Sequence, residues 1–377
     1  MKKIRIIADD KIPFLQGILE PFADISYLPP IQITKEVVKD VDALIVRTRT
    51  KCNAELLERS SVKFIATATI GFDHIDAAYC ESKGIKWISA PGCNSSSVQQ
   101  YLASGLLTLA KQKEIQLDSK TIGIVGVGNV GCKIEKISKI FGLKVLLNDP
   151  PRERKEGSEK FVPLEYLLHN SDIITFHVPL NKSGIDKTFH LADEIFFDKF
   201  QKSKIIINTS RGEVVSNKDL NKAIMDGKVS SCVLDVWENE PQIDKELLNR
   251  VDISTPHIAG YSVEGKANGT AACVNVLNEF FSLGLGQNWY PTHLPLSNKL
   301  KEIGIDCQGK LNQEIFFELI KSTYDILEDD KRLRNSVKDF EKLRGEYPVR
   351  REFTYYDVHL THADESIRSA VSELGFN

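Results

Sequence analysis

Short apolar runs alternate with longer amphipathic stretches over the first two-thirds of the chain, a pattern that predicts parallel strands joined by helices. Strand signals at 4–8, 43–47, 63–68 and 86–89 predict a small α/β unit. The loop Ala90-Pro91-Gly92-Cys93-Asn94-Ser95-Ser96-Ser97 offers capping side chains to the apolar helix 98–110, which carries the chain into a second domain. Strand signals then recur at 121–125, 143–148, 172–176, 204–208, 231–235 and 253–255, and with the intervening helices they match a doubly wound sheet. Beyond Pro291 the pattern changes. An amphipathic helix with Phe316, Leu319, Ile320, Tyr324 and Leu327 on one face is followed by a charged helix at 329–342, a strand at 352–358 and a last helix from Glu365. The predicted class is α/β, with two Rossmann-like parallel-sheet domains (1–97 with 258–288, and 98–257) and a small α+β C-terminal domain (289–377) whose expected role is a homodimer contact.

Ligands of doubly wound sheets bind at the carboxyl ends of the strands, so chemistry is sought there. Gly126, Asp149, His177, Arg211, Asp235 and His257 occupy such positions. The segment Thr121 to Gly131 places Gly126-Val127-Gly128-Asn129-Val130-Gly131 between a strand and a helix, the context that a dinucleotide fingerprint requires. Gly126 permits the tight turn, Gly128 lets the backbone approach a pyrophosphate, and Gly131 allows helix and strand to pack closely. Asp149 ends the next strand signal, where a carboxylate accepts the ribose hydroxyls. An acid facing a 2′-phosphate costs about 1–4 kcal/mol per charge pair at 4 Å, which favours NAD, although Arg152 and Arg154 stand close enough to soften the preference.

Composition narrows the partners. A formal charge of -3 and a pI near 6.3 provide no broad basic field for nucleic acid. No apolar run approaches the ~20 residues of a membrane span, and Asp9 and Asp10 interrupt the signal-like start Met1-Lys2-Lys3-Ile4-Arg5-Ile6-Ile7. The seven cysteines are scattered, without a CxxC pair or a His-rich cluster, which predicts a reduced compartment, the cytoplasm, and no structural metal.

A nicotinamide cofactor carries hydride, so the protein must supply orientation and a proton acceptor. Histidine suits that task because its ordinary pKa, about 6.5, lies near working pH. His257, in Ser254-Thr255-Pro256-His257-Ile258-Ala259-Gly260-Tyr261, is the candidate; standing alone it would read as a solvated loop residue. Glu240, in Asp235-Val236-Trp237-Glu238-Asn239-Glu240-Pro241, would orient the imidazole and stabilise its charged form, with Glu238 as a rival and a solvated turn as the plain reading of both acids. Arg211, after the strand 204–208, offers a fork that fits a carboxylate. In the first domain Val46-Arg47-Thr48-Arg49-Thr50 supplies cations and hydroxyls, with Arg47 and Arg49 on one face if the strand persists. Thr67-Ala68-Thr69-Ile70-Gly71 places small residues where amides can meet a carboxylate.

The motifs Gly126 to Gly131, Arg211-Gly212, Asp235 to Pro241 and Thr255 to Gly260 resemble the D-isomer-specific 2-hydroxyacid dehydrogenase family over residues 1 to about 285. Asn148-Asp149-Pro150-Pro151-Arg152, Ala90-Pro91-Gly92-Cys93-Asn94, His257 to Tyr261 and Tyr347-Pro348-Val349-Arg350-Arg351-Glu352-Phe353 resemble a branch of it that acts on a phosphorylated four-carbon 2-hydroxy acid. The resemblance implies Arg211, Glu240 and His257 as the catalytic set, with His257 the proton donor in the reductive direction. It further implies Asp149, Asp235 and Gly260 at NAD, and Thr48, Thr69 and Tyr261 at substrate. Val178 departs from the threonine common in relatives, and Thr48 from serine. For the substrate phosphate the expectation is Arg47 or Arg49, joined by Arg350 or Arg351 of a partner subunit. Two alternatives stay open: a relative acting on phosphoglycerate or hydroxypyruvate, and a non-catalytic NAD-sensing protein.

Overall fold

The computed structural model describes residues 3–377, so Met1 and Lys2 of the signal-like start lie outside the described residues. The chain divides into two compact units, Met1–Asn94 with Ser262–Pro295, and Ser95–Tyr261 with Leu296–Asn377.

The first unit holds a parallel sheet of β1 (Arg5–Asp9), β2 (Asp24–Leu28), β3 (Ala43–Val46), β4 (Phe64–Thr67) and β5 (Lys86–Ile88), in the order β2-β1-β3-β4-β5. Strand β2, absent from the predicted set, is an edge strand without a fully buried residue, which is why its hydrophobic signal is weak. The helix Val263–Phe281 sets Cys273, Val274 and Leu277 against Ile6, Ile45 and Phe64, so this late segment completes the core of the first unit.

The second unit is built on β6 (Thr121–Val125), β7 (Lys144–Asn148), β8 (Ile173–Phe176), β9 (Lys204–Asn208), β10 (Val229–Leu234) and β11 (Ile253–Ser254), in the order β11-β10-β9-β8-β6-β7, parallel throughout. Every residue of β8 and β9 is buried, as expected of strands covered on both faces. Strand order reverses between β6 and β8, which opens a crevice beyond their carboxyl ends.

Residues 296–377 pack into this same unit. The helix Ser95–Gln112 is buried at every position from Val98 to Ala110, so it has no solvent face, and its far side is covered by the C-terminal helices Asn312–Thr323 and Ile326–Asn335. Two of its polar groups find partners there: Gln100 Nε2 donates to Arg351 O at 2.9 Å and Ser104 Oγ to Tyr324 O at 2.9 Å. The expected charged helix at 329–342 is two helices, Ile326–Asn335 and Phe340–Gly345, because Ser336 leaves the helical conformation (φ -144°, ψ 51°), which breaks the run and lets Phe340 turn inward. The expected strand at 352–358 is a 3-10 turn, Phe353–Tyr355, followed by β13 (Asp357–Thr361), which pairs with β12 (Glu302–Asp306). Among the described residues no helix is long and apolar enough to cross a membrane.

Candidate active site

The glycine segment leaves β6 for the helix Asn129–Ile140 at the crevice. Gly126 turns with φ +88°, and a Cβ there would lie 2.6 Å from His177 O. A Cβ on Gly131 would lie 2.1 Å from Gly126 O, so helix and turn touch through backbone. Gly128 differs, since a Cβ there would meet nothing within 4 Å. It is the N-cap of the helix, and no side chain caps that end. The first amides and the positive end of the dipole are thus left for an anion, beside exposed Asn129 and half-buried Val130. Asp149, at the end of β7, accepts Val127 N at 2.8 Å and Arg152 N at 3.0 Å, which braces the glycine turn. Arg152 is paired with Glu156 at 2.7 Å and Arg154 with Asp186, so neither guanidinium stands unneutralised. An open glycine, an uncapped helix start and a fixed acid at the next strand fit a dinucleotide with free ribose hydroxyls.

At the other strand ends, β10 and β11 deliver Asp235 and His257. The His257 amide donates to Asp235 O at 2.7 Å, and its backbone takes a left-handed conformation, φ 57°. Nδ1 lies 2.8 Å from Glu240 Oε2, while Glu240 Oε1 accepts Trp237 N at 2.9 Å. Burial pushes the Glu240 carboxyl up, but the His257 charge and the hydrogen bonds from His257 and Trp237 outweigh it, leaving the group below its usual 4.5. An ionised Glu240 accepts the Nδ1 proton and leaves Nε2 as the basic nitrogen. Glu238 does not compete for this place: its Oε1 meets His190 Nε2 at 2.6 Å and its Oε2 accepts Asn217 N at 2.7 Å.

Asp235 is 1% exposed. Its carboxylate accepts Thr255 Oγ1 at 2.6 Å, Ile258 N at 2.7 Å and Ala259 N at 2.9 Å, so it organises the His257 loop. Gly260 lies in the turn closed by Tyr261 N to Ile258 O at 2.8 Å. Tyr261 meets Tyr347 edge-on, with centroids 5.8 Å apart. Half-buried Arg211 follows β9; its Nη1 donates to Ser210 O at 2.7 Å, and its carbonyl accepts Asn208 Nδ2 at 2.9 Å. The next residue, Gly212, lies so close to Trp237 that a Cβ would stand 1.9 Å from its carbonyl oxygen, which seats the Arg211 turn against the turn carrying Glu240. His177, at the end of β8, is kept neutral by burial, which lowers its imidazole to about 3.

In the first unit β3 stops at Val46, so Arg47, Thr48 and Arg49 belong to a turn and strand alternation does not sort them. Thr48 is exposed, and half-buried Arg47 donates from Nη1 to Lys11 O at 3.3 Å. Thr69 Oγ1 lies 2.8 Å from Thr67 Oγ1 and donates to Gly71 O at 3.0 Å, with His74 Nε2 3.1 Å from Thr67 Oγ1.

The expectation for Arg350 and Arg351 is corrected. They are 5% and 8% exposed inside their own chain, and Arg350 Nη2 donates to Ile258 O at 3.3 Å and Ala259 O at 2.6 Å. The motif Tyr347 to Phe353 stands out in the sequence; its meeting with the His257 loop of the same chain follows from the fold alone.

Residues 95–259 match the D-isomer specific 2-hydroxyacid dehydrogenase NAD binding domain, and residues 298–375 match a domain of unknown function, DUF3410. The chain is 49% identical over 94% of its length to an erythronate-4-phosphate dehydrogenase of Bacteroides thetaiotaomicron, covering 99% of that protein. It is 43% identical to the Proteus mirabilis protein of the same name, over 99% of both chains. Among solved structures, the D-lactate dehydrogenase of Aquifex aeolicus complexed with NAD and lactic acid is 27% identical, with a TM-score of 0.59, over 74% of this chain and 95% of that one. The TT0316 protein of Thermus thermophilus, 23% identical, shares the fold with a TM-score of 0.63 over 77% of this chain and 100% of that one.

Proposed function

The chain is an NAD-dependent dehydrogenase of the erythronate-4-phosphate dehydrogenase family, within the D-isomer specific 2-hydroxyacid dehydrogenases, and on that footing we propose that it oxidises 4-phospho-D-erythronate at C2. The product is (R)-3-hydroxy-2-oxo-4-phosphooxybutanoate, an intermediate on the way to pyridoxal 5′-phosphate. The observation that carries the reading is the 2.8 Å contact between His257 Nδ1 and the Glu240 carboxylate at the carboxyl end of the sheet.

NAD, when bound, supplies the hydride acceptor. Gly126, Gly128, Asn129, Val130 and Gly131 would hold its pyrophosphate and Asp149 its adenine ribose, with Gly260 and the loop organised by Asp235 closing on it. The chain's own residues do the rest. His257 Nε2 takes the C2 hydroxyl proton as the C–H bond yields its electron pair, and Glu240 stabilises the imidazolium that forms. Arg211 grips the substrate carboxylate with its fork and draws charge from the developing carbonyl. In the first unit, exposed Thr48, Thr69 and the cation of Arg47 suit the substrate's hydroxyl, carboxylate and phosphate groups, and Tyr261 would add a phenol.

The same reading places the protein in the cytoplasm, in keeping with seven free cysteines. It also makes the protein a homodimer through the C-terminal module. There Leu296, Leu300 and Leu311 are 76%, 82% and 61% exposed, apolar side chains available to a second copy of the chain.

The test is a rate panel of 4-phospho-D-erythronate, 3-phosphoglycerate, glycerate and lactate with NAD, with and without a 2-oxo acid to reoxidise the cofactor. Highest kcat/KM for 4-phospho-D-erythronate is expected. A higher value for 3-phosphoglycerate would reassign the substrate, and no NAD reduction with any acid would favour an NAD-sensing role.

A further inference from the structure

The His257 loop is clamped on both sides of its peptide units. The amides of Ile258 and Ala259 enter the Asp235 carboxylate at 2.7 and 2.9 Å, and the carbonyls of the same two residues receive Arg350 Nη2 at 3.3 and 2.6 Å. Arg350 comes from the C-terminal module, between the helix Phe340–Gly345 and the turn Phe353–Tyr355. Its guanidinium lies 4.6 Å from the Tyr324 ring centroid and 5.7 Å from that of Tyr347. Those rings are themselves fixed, since both phenols donate to Asp329 Oδ2, at 2.8 and 2.7 Å. Tyr347 also touches Tyr261, so the module reaches the loop at 258–259 and again at 261.

We propose that Arg350 is a positioning residue for the dehydrogenation: by holding the Ile258 and Ala259 carbonyls it fixes the loop that aims the His257 imidazole. The proposal rests on the reading of His257 as the base. Plain packing would ask for a different side chain. Among the described residues Arg350 Nε and Nη1 find no hydrogen-bond partner, and a buried cation with unmatched donors costs stability that an apolar side chain of similar volume would not. What the guanidinium adds over such a side chain is its place over the Tyr324 and Tyr347 rings and the pair of contacts to the loop, and only the second reaches the backbone that carries His257. The C-terminal module thereby has a task within its own subunit in addition to any between subunits.

The experiment compares full-length wild type, Arg350→Met and Arg350→Lys by NAD affinity, steady-state kinetics and amide hydrogen exchange of residues 255–261. In Arg350→Met, kcat should fall about 10- to 100-fold, the scale of misplacing a reacting group by about 1 Å. KM and the NAD dissociation constant should stay within about threefold, while exchange at Ile258 and Ala259 quickens about tenfold or more, because the opening is local. Arg350→Lys keeps a cation with donors of different reach and should fall between the two; it carries the test if the methionine variant does not fold. Wild-type kcat in either folded variant, or unchanged exchange at Ile258 and Ala259, overturns the proposal. So does a kcat loss matched by equal losses in NAD affinity and in protection throughout the chain, the mark of a merely structural role. The base reading fails by a different sign, turnover retained in His257→Asn.

Discussion

Replacing Glu240 by glutamine probes the His257 pair with almost no change of shape. Both Glu240 oxygens serve as acceptors, Oε2 at 2.8 Å from His257 Nδ1 and Oε1 at 2.9 Å from Trp237 N. Glutamine has one oxygen and one NH2. With the oxygen toward Trp237, the NH2 faces Nδ1 and drives the ring proton to Nε2, where the base must be empty. Turned the other way, the side chain keeps the tautomer but sets its NH2 against the Trp237 N–H. In both orientations the imidazolium loses its anion. A hydrogen bond to a charged partner contributes about 1.5–3 kcal/mol, and each 1.36 kcal/mol is tenfold in rate, so kcat should fall about 10- to 150-fold. Neither oxygen faces substrate in this arrangement, so KM should move less than about threefold. The folded Glu240 carboxyl titrates below its usual 4.5, so its contribution to stability is present above that value and lost as pH falls through the lowered one. The gap in Tm between wild type and Glu240→Gln should close over that acid window. The assay is NADH formation at saturating NAD with Tm measured on the same preparations. A folded Glu240→Gln within about threefold of wild-type kcat refutes the reasoning.

Gly128→Ala puts a methyl where nothing lies within 4 Å, so Tm should hold while the NAD dissociation constant rises about tenfold, read by titration calorimetry. Gly131→Ala drives its methyl to 2.1 Å from Gly126 O and should instead cost about 1–3 kcal/mol of stability in denaturant titration. With Arg152 and Arg154 paired to Glu156 and Asp186, kcat/KM for NADP should lie about tenfold or more below that for NAD; equal values would remove Asp149 from cofactor choice. Burial holds the His177 imidazole at about 3 in the folded chain against an unfolded 6.5, so its contribution to stability is complete above 6.5 and lost as pH falls toward 3. The Tm of His177→Gln should therefore depend less on pH than that of wild type across that interval.

The six strands of the second unit were legible because buried parallel strands are continuous apolar runs, and the ends read from sequence differ from the observed ones by a residue or two. Edge strand β2 and the small strand β12 were not, since each shows only partial burial, Ile303 and Ile305 alone facing inward in β12. The site divides in the same way. Gly126, Asp149, Arg211, Glu240 and His257 stand at strand ends, where topology says chemistry gathers. The choice between Glu238 and Glu240 was undecidable from spacing, because it depends on His190, which arrives from the turn after β8. Arg350 was visible as part of a motif but was assigned to another subunit. A chain cannot announce that its last eighty or so residues fold back upon a loop at 258–259, because that contact links elements with no local signal in common.

The most direct test of the central claim is the rate of hydride transfer from 4-phospho-D-erythronate to NAD in His257→Asn, beside its NAD affinity. The account predicts a loss of about 100- to 10,000-fold in rate with NAD bound as in wild type. Transfer within about tenfold of wild type would contradict it.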